Sequence, residues 1–315
     1  GYLEAFDHFC TVEDWDAANT ILMTVLDTPT QNEIHWQLGV WGYYREQIQV
    51  CNRILNHLDQ QSDGRWLNTL GIAYRSLGNY QRAIDFHQQH RTIAREIGDR
   101  QGEANSLSNL GNASHSLGDY QRAIDFHQQR LTIAREIGDK QGEGQALGNL
   151  GLAYYSLGDY QRAIDLHQQD LTIAREIGDK KGEGNALGNL GLAYYSLGDY
   201  EQAIDFHQQN LTIAREIGDK QSEGNALGSL GATQLKLSQY EDCLANTQAA
   251  LEIFETIGNQ SGIAEALKNL AELHQALGDL PTAHDYAHRA LTLATQLNIP
   301  LKAACAALLE SLQHP

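Results

Sequence analysis

The stretch GDKKGEGNALGNLG, Gly178 to Gly191, has the glycine density of a turn that cradles a phosphate. Glycine at 182, 184 and 188 gives G-x-G-x-x-x-G, one residue longer than the dinucleotide fingerprint, and the Gly-Lys-Ser/Thr ending of a P-loop is missing. Either motif needs a buried strand leading into the glycines, whereas the preceding LTIAREI has its apolar residues at helical spacing. The stretch also recurs. LTIAREIGDK stands at 131–140, 171–180 and 211–220, and NLGLAYYSLGDY at 149–160 and 189–200. The glycines belong to a forty-residue repeat, as helix ends and close-packing positions, and need no phosphate to explain them.

The small residue in DYQRAID sets the register. Ala83, Ala123, Ala163, Ala203, Cys243 and Ala283 are each forty residues apart, and two weaker copies precede them, with Cys51 and Ala18 at spacings of 32 and 33. About eight units result, and a fixed period of this size means a solenoid in which each unit packs on its neighbours. Within the unit at 144–178, Leu147, Leu150, Gly151, Tyr154 and Leu157 mark one helical face, and Tyr160, Ala163, Ile164, His167, Leu171 and Ala174 mark a second. Gly158 suits the left-handed residue that closes the first helix and Asp159 the N-cap of the next, and Gly178 and Asp179 repeat that punctuation. Glycine inside a helix costs about 1 kcal/mol against alanine. Gly151 and its counterparts at 71, 111, 191 and 231 therefore call for a compensation, which close approach of the paired helix at Ala163 would supply.

The pattern of Leu150-Gly151, Tyr154, Ala163 and a bulky residue at 167 resembles the tetratricopeptide repeat. The forty-residue length and the wording NLG…LGDY..AI..H...L.IAREIGD look like the Pins/LGN group and, more distantly, kinesin light chain. The resemblance covers almost the whole chain. It implies an all-α, right-handed superhelix, an α-solenoid of about eight helix-turn-helix repeats, whose first helices line a concave groove for an extended peptide or a partner's helix. On this reading 1–60 holds two degenerate repeats, 61–298 six regular ones, and 299–315 a C-terminal capping helix.

Composition narrows the function classes. The chain has 315 residues, 42% hydrophobic, with four prolines, and no apolar run approaches the about 18 residues of a membrane span, so a soluble, non-spanning protein is expected. The first residue is Gly1 and the single methionine is Met23, which points to a piece of a longer protein. The net charge of −18 falls mostly at the two ends, while the regular middle is nearly balanced. A basic stripe for nucleic acid is absent. Cysteines at 10, 51, 243 and 305 have no C-x-x-C spacing and fit a reducing, cytoplasmic setting, with Cys51 and Cys243 as packed small hydrophobes.

His87, His127, His167 and His207, all in HQQ, invite a metal reading. Stacked units would place successive members on the order of 10 Å apart, far beyond zinc-ligand distances of about 2 Å. They fall where the tetratricopeptide pattern wants a bulky packing residue. No nucleophile elbow, no H-E-x-x-H and no singular Ser/His/Asp set appears, and nearly every polar residue of the middle recurs at forty-residue spacing. The chain is therefore read as non-enzymatic, with no cofactor and no metal.

Function is expected in the groove. Counting from Gly151, the inward positions of the first helix are Gln145, Gly148, Asn149, Leu152, Tyr155 and Ser156, and in the next unit Asn185, Gly188, Asn189, Leu192, Tyr195 and Ser196. Asn109, Asn149, Asn189 and Asn269 can donate to and accept from the backbone of an extended peptide, or can bridge neighbouring helices. In the doubled YY, Tyr154 or Tyr194 is the packing residue and Tyr155 or Tyr195 can face the groove, where Asn112, His115 and Arg75 complete the candidate set. Family relatives often carry arginine where this chain has Asn105, Gln145, Asn185 and Asn225, so the expected ligand is neutral to mildly basic and partly apolar. Two functions follow. One is a non-catalytic interaction module that binds a partner segment. The other is the C-terminal sensor or autoinhibitory arm of a larger, bacterial multidomain ATPase or effector, whose partner is an N-terminal domain of the same chain.

Overall fold

The structure is a computed structural model that describes residues 1–313. Residues 314 and 315, counted above within the capping segment, lie outside the described residues. Seventeen helices make up the described chain, which divides into two compact units, 1–157 and 158–315. The first unit contains α1 (Tyr2–Thr11), α2 (Trp15–Leu22), α3 (Ile34–Val40), α4 (Tyr44–Ile54), α5 (Gln60–Ser76), α6 (Tyr80–Glu96), α7 (Arg100–Ser116), α8 (Tyr120–Ile137) and α9 (Lys140–Ser156). The second contains α10 (Tyr160–Ile177), α11 (Lys180–Leu197), α12 (Tyr200–Ile217), α13 (Lys220–Lys236), α14 (Tyr240–Thr256), α15 (Gln260–Ala276), α16 (Leu280–Gln296) and α17 (Leu301–Gln313). From α5 to α16, odd-numbered helices are the first and even-numbered the second helices of the forty-residue repeats. Within each unit consecutive helices pack antiparallel, and successive first helices also touch: α5, α7 and α9 in one unit, α11, α13 and α15 in the other. The helix α17 covers α15 and α16, burying Cys305, Leu308 and Leu312.

Local chemistry explains where the helices stop. Gly158, Gly178 and Gly198 adopt φ of 82°, 71° and 90°, the left-handed region that glycine enters without a Cβ penalty. The aspartate after each glycine then caps the next helix: Asp159 accepts from the Arg162 backbone N–H at 3.2 Å, and Asp179 from Gly182 at 2.8 Å. The register residues Ala18, Cys51, Ala83, Ala123, Ala163, Ala203, Cys243 and Ala283 are all fully buried. All four cysteines are free and buried, and burial pushes the Cys51 thiol well above its ordinary value.

The glycines inside the first helices lie nearest to the side chain one turn beyond the small register residue. A Cβ on Gly71, Gly111 or Gly191 would overlap the imidazole of His87, His127 or His207, the residue one turn beyond the small alanine of the second helix. The ring occupies the space that the missing side chain leaves. The pairing holds where the letters change: Gly231 lies against Thr247, and Ala271 shares a cluster with Ala287. Burial removes water from the imidazolium, so the ring pKa values fall to about 3 for His87 and His127 and about 4 for His167 and His207. All four rings are neutral at pH 7.

Ion pairs fix the next contact, between a second helix and the following first helix. Buried Glu143 accepts from Arg135 Nε at 2.7 Å and Lys140 Nζ at 2.9 Å; Glu183 binds Arg175 at 2.8 Å and Lys180 at 3.2 Å; Glu223 binds Arg215 at 2.9 Å and Lys220 at 2.7 Å. These hydrogen bonds hold the three carboxyls below their ordinary values. Both partners disappear together in the next step, where Glu255 and Ile263 replace the arginine and the glutamate.

Two outcomes test this packing. Gly191→Ala should lower unfolding free energy by about 1–3 kcal/mol through overpacking, and the double variant Gly191→Ala/His207→Ala, which copies Ala271 and Ala287, should recover most of it in urea titrations. Acid should act through the histidines. Below about pH 6.5 the unfolded chain binds protons that the buried rings refuse, so stability falls by up to about 1.4 kcal/mol per pH unit for each ring until the folded values are reached. The urea midpoint should drop from pH 6 to pH 4, by less than four rings alone would give because buried Asp170, its carboxyl raised to about 7, takes up a proton over the same range; a level midpoint there would contradict burial of the neutral rings.

Candidate functional site

The nine candidate residues all lie on first helices: Asn109, Asn149, Asn189 and Asn269 stand two residues before the helix's inner glycine or alanine, Asn112 one after it, and Arg75, His115, Tyr155 and Tyr195 one turn after it, beside the second helix. In the first unit, Asn109 on α7 donates through Nδ2 to Asn68 Oδ1 on α5 at 2.9 Å, bridging neighbouring first helices. His115 Nε2 lies 3.0 Å from Ser156 Oγ on α9, and its ring tilts against Tyr120 at 5.1 Å. The Arg75 Nε is buried without a hydrogen-bond partner. Asn112 and Asn149 are half-buried, and their side chains form no hydrogen bond among the described residues. Tyr155 is half-buried on α9.

In the second unit, Asn189 is likewise half-buried with its amide unused. The doubled tyrosine divides its labour between core and surface: Tyr194 stacks on Phe206 of α12 at 5.3 Å, while Tyr195 is half-buried with its ring edge-on to Tyr200 at 5.5 Å. Asn269 is 7% exposed and its Nδ2 lies 3.5 Å from the Gly228 carbonyl oxygen, at the limit of a hydrogen bond.

Tyr195 and Asn269 meet in a cleft of about 440 Å³ between α11, α13 and α15. Leu192, Asn225, Gly228, Ser229 and Ala232 line it at the inward positions of the repeat, with Phe254, Thr233 and His207 deeper and Glu265 and Lys268 at α15. Of these, Asn269 and Asn225 are already marked by the sequence pattern; stepping the inward positions Gln145 and Gly148 on by multiples of forty residues adds Glu265, Gly228 and Lys268. His207 is expected from the sequence as a packing residue, and nothing in the spacing along its helix marks it as bordering a cleft. Among the described residues no group of three or more His, Cys, Asp or Glu side chains could hold a metal ion, and no helix is long and apolar enough to cross a membrane.

Comparison with known proteins agrees with this architecture. The tetratricopeptide repeat family matches at residues 62–136, 142–216 and 222–296, and the chain belongs to it. Tetratricopeptide repeats are protein–protein interaction scaffolds. No curated protein matches the chain. Among solved structures it is similar to the STAND protein PH0952 of Pyrococcus horikoshii, a signal transduction ATPase with a tetratricopeptide repeat sensor, at 19% identity and a TM-score of 0.74; the match covers 98% of this chain and 48% of that one, so this chain spans about half of its length. A Rap protein complexed with the competence and sporulation factor matches at 16% identity and a TM-score of 0.61, over 99% and 96% of the two chains. Aspartyl phosphate phosphatase F of Bacillus subtilis matches at 14% identity and a TM-score of 0.66, over 100% and 93%. At these identities the likeness is one of fold.

The two classes of asparagine should separate in stability measurements. Asn109→Ala removes a bridge and Asn189→Ala removes none, so the first should be about 1 kcal/mol the more destabilising in urea titrations.

Proposed function

We propose that this chain is a non-catalytic recognition module that binds an extended, neutral to mildly basic and partly apolar segment of a partner protein on the exposed faces of its first helices. The observation that carries the reading is the pair Asn149 and Asn189. Each is half-buried, each lacks an intramolecular hydrogen bond, and each lies on the face that also presents Tyr155 or Tyr195. An unused amide can both donate to and accept from an extended backbone, and the neighbouring ring supplies contact area at low entropic cost. Asn109 and Asn269 hold neighbouring first helices instead, and position the face for the others. The complex of a Rap protein with the competence and sporulation factor supports a fold of this kind holding a ligand. Within the family, the forty-residue wording groups the chain with Pins/LGN-type repeats, while Asn105, Gln145, Asn185 and Asn225 replace the arginines that meet acidic ligands there.

A second reading draws on the likeness to the signal transduction ATPase, whose tetratricopeptide repeats form a sensor. On it, the chain is the sensor or autoinhibitory arm of a larger bacterial protein and the partner segment belongs to an N-terminal domain. A nucleotide-binding module encoded upstream in the same reading frame would favour it.

The test of the first reading is affinity capture with the parent chain and with Asn149→Ala/Asn189→Ala, analysed by mass spectrometry. The expected result is a partner held by the parent and lost by the variant, with unchanged helicity and urea midpoint. A partner retained equally by both would overturn the assignment to these faces.

A further inference from the structure

The cleft of the second unit has a cause in the repeat itself. Two positions govern the space above each first helix, one on that helix and one twenty-two residues later on the second helix. Along the chain the pairs read Asn68/His90, Ser108/Arg130, Gly148/Asp170, Gly188/Asn210, Gly228/Ala250 and Lys268/Ala290. Five of the six carry at least one long or polar side chain, and Gly228/Ala250 carries none. At Gly188 the space is taken: an added Cβ would stand 2.8 Å from Asn210 Nδ2, and Asn210 is 8% exposed. At Gly228 an added Cβ would meet only the Ala250 Cβ, at 3.9 Å, an ordinary contact. In the last repeat Lys268 occupies the position, its ammonium 2.7 Å from Glu272. The cleft opens where the seventh repeat has no side chain beyond Cβ at either position.

The lining describes what would replace it. The Phe254 ring, pressed against Gly224 and Gly262, gives an apolar floor, and Leu192 and Ala232 give apolar sides. His207 is 2% exposed and stands in the wall with neither ring nitrogen hydrogen-bonded. As a neutral ring it offers one donor and one acceptor. At the rim Lys268 is neutralised by Glu272, whereas the exposed carboxylate of Glu265 has no ion-pair partner among the described residues. A volume of about 440 Å³ is in the range of ligand pockets and exceeds one side chain, leaving room for the flanking backbone.

We infer that this cleft is an anchor socket for one large apolar side chain of an extended partner segment, with a lysine or arginine beside it in the segment paired with Glu265. The inference rests on the reading that the first-helix faces bind an extended segment, and it specifies where that segment is held and by which residues. At Gly188 the equivalent space is closed by Asn210, and the anchor is placed in the seventh repeat, where both positions lack such a side chain.

Random dodecapeptides displayed on phage and selected on the parent chain supply the probe, and synthetic copies of the selected peptides are titrated by fluorescence anisotropy. Gly228→Asn places the side chain of Asn68 in the socket and improves helix propensity, so the fold is retained; Ala250→Asn copies Asn210 and fills the socket from the second helix. Glu265→Lys reverses the rim without filling it. The expected outcome is a consensus with a large apolar residue next to lysine or arginine, bound roughly tenfold more weakly by either filled variant, and more weakly by Glu265→Lys at low salt only. Peptides that bind Gly228→Asn and Ala250→Asn as tightly as the parent would overturn the socket and leave binding on the first-helix faces standing. A consensus lacking the apolar or the basic residue would overturn its chemistry. If no peptide is selected, both readings fall.

Discussion

The register of the pairs α5/α6, α7/α8 and α11/α12 depends on an imidazole resting where a first helix has no Cβ. Glycine in a helix interior sacrifices about 1 kcal/mol of propensity, and a buried imidazole forgoes hydrogen bonds to water. The ring of His87, His127 or His207 offsets both by filling the gap above Gly71, Gly111 or Gly191 without a void. Neither residue is explicable alone. That is why the two change together, to Gly231/Thr247 and to Ala271/Ala287.

The contact between repeats is of another kind. Glutamates 143, 183 and 223 are buried between a second helix and the next first helix, and each takes two cations, one from either side of the junction. Apolar packing inside a pair and ion pairing between pairs give every repeat two unlike surfaces, which makes stacking directional. The seventh repeat breaks both habits. Ser238 takes the left-handed turn position with φ of 58°, Phe254 replaces the alanine of IAREI, and Glu255 ends the ion-pair series. The cleft opens in that repeat, because regularity closes the space above a first helix and departure from it leaves room.

A scaffold of this class is defined by what its faces leave unsatisfied. In the regular repeats several polar side chains are used internally, as Asn109 is by Asn68 and Arg130 by Gln145 at 2.7 Å. The unused amides of Asn149 and Asn189 and the uncompensated carboxylate of Glu265 stand out against that background, since folding does not require them. The family names a mode of action, protein recognition, and a fold by itself does not choose the partner.

The sequence by itself determined the period, the helix pairs, the glycine–aspartate punctuation and the inward positions, because these follow from 3.6-residue periodicity and from capping chemistry within a few residues. The same counting that marks Asn225 and Asn269 also reaches Gly228, Glu265 and Lys268. Tertiary structure alone decided that a histidine ring fills the space at Gly71, Gly111 and Gly191, that Asn109 and Asn269 bridge helices while Asn149 and Asn189 do not, and that Glu265 and His207 border a cleft. Those outcomes depend on distances between side chains from different helices, and a spacing pattern along one helix contains no such distances.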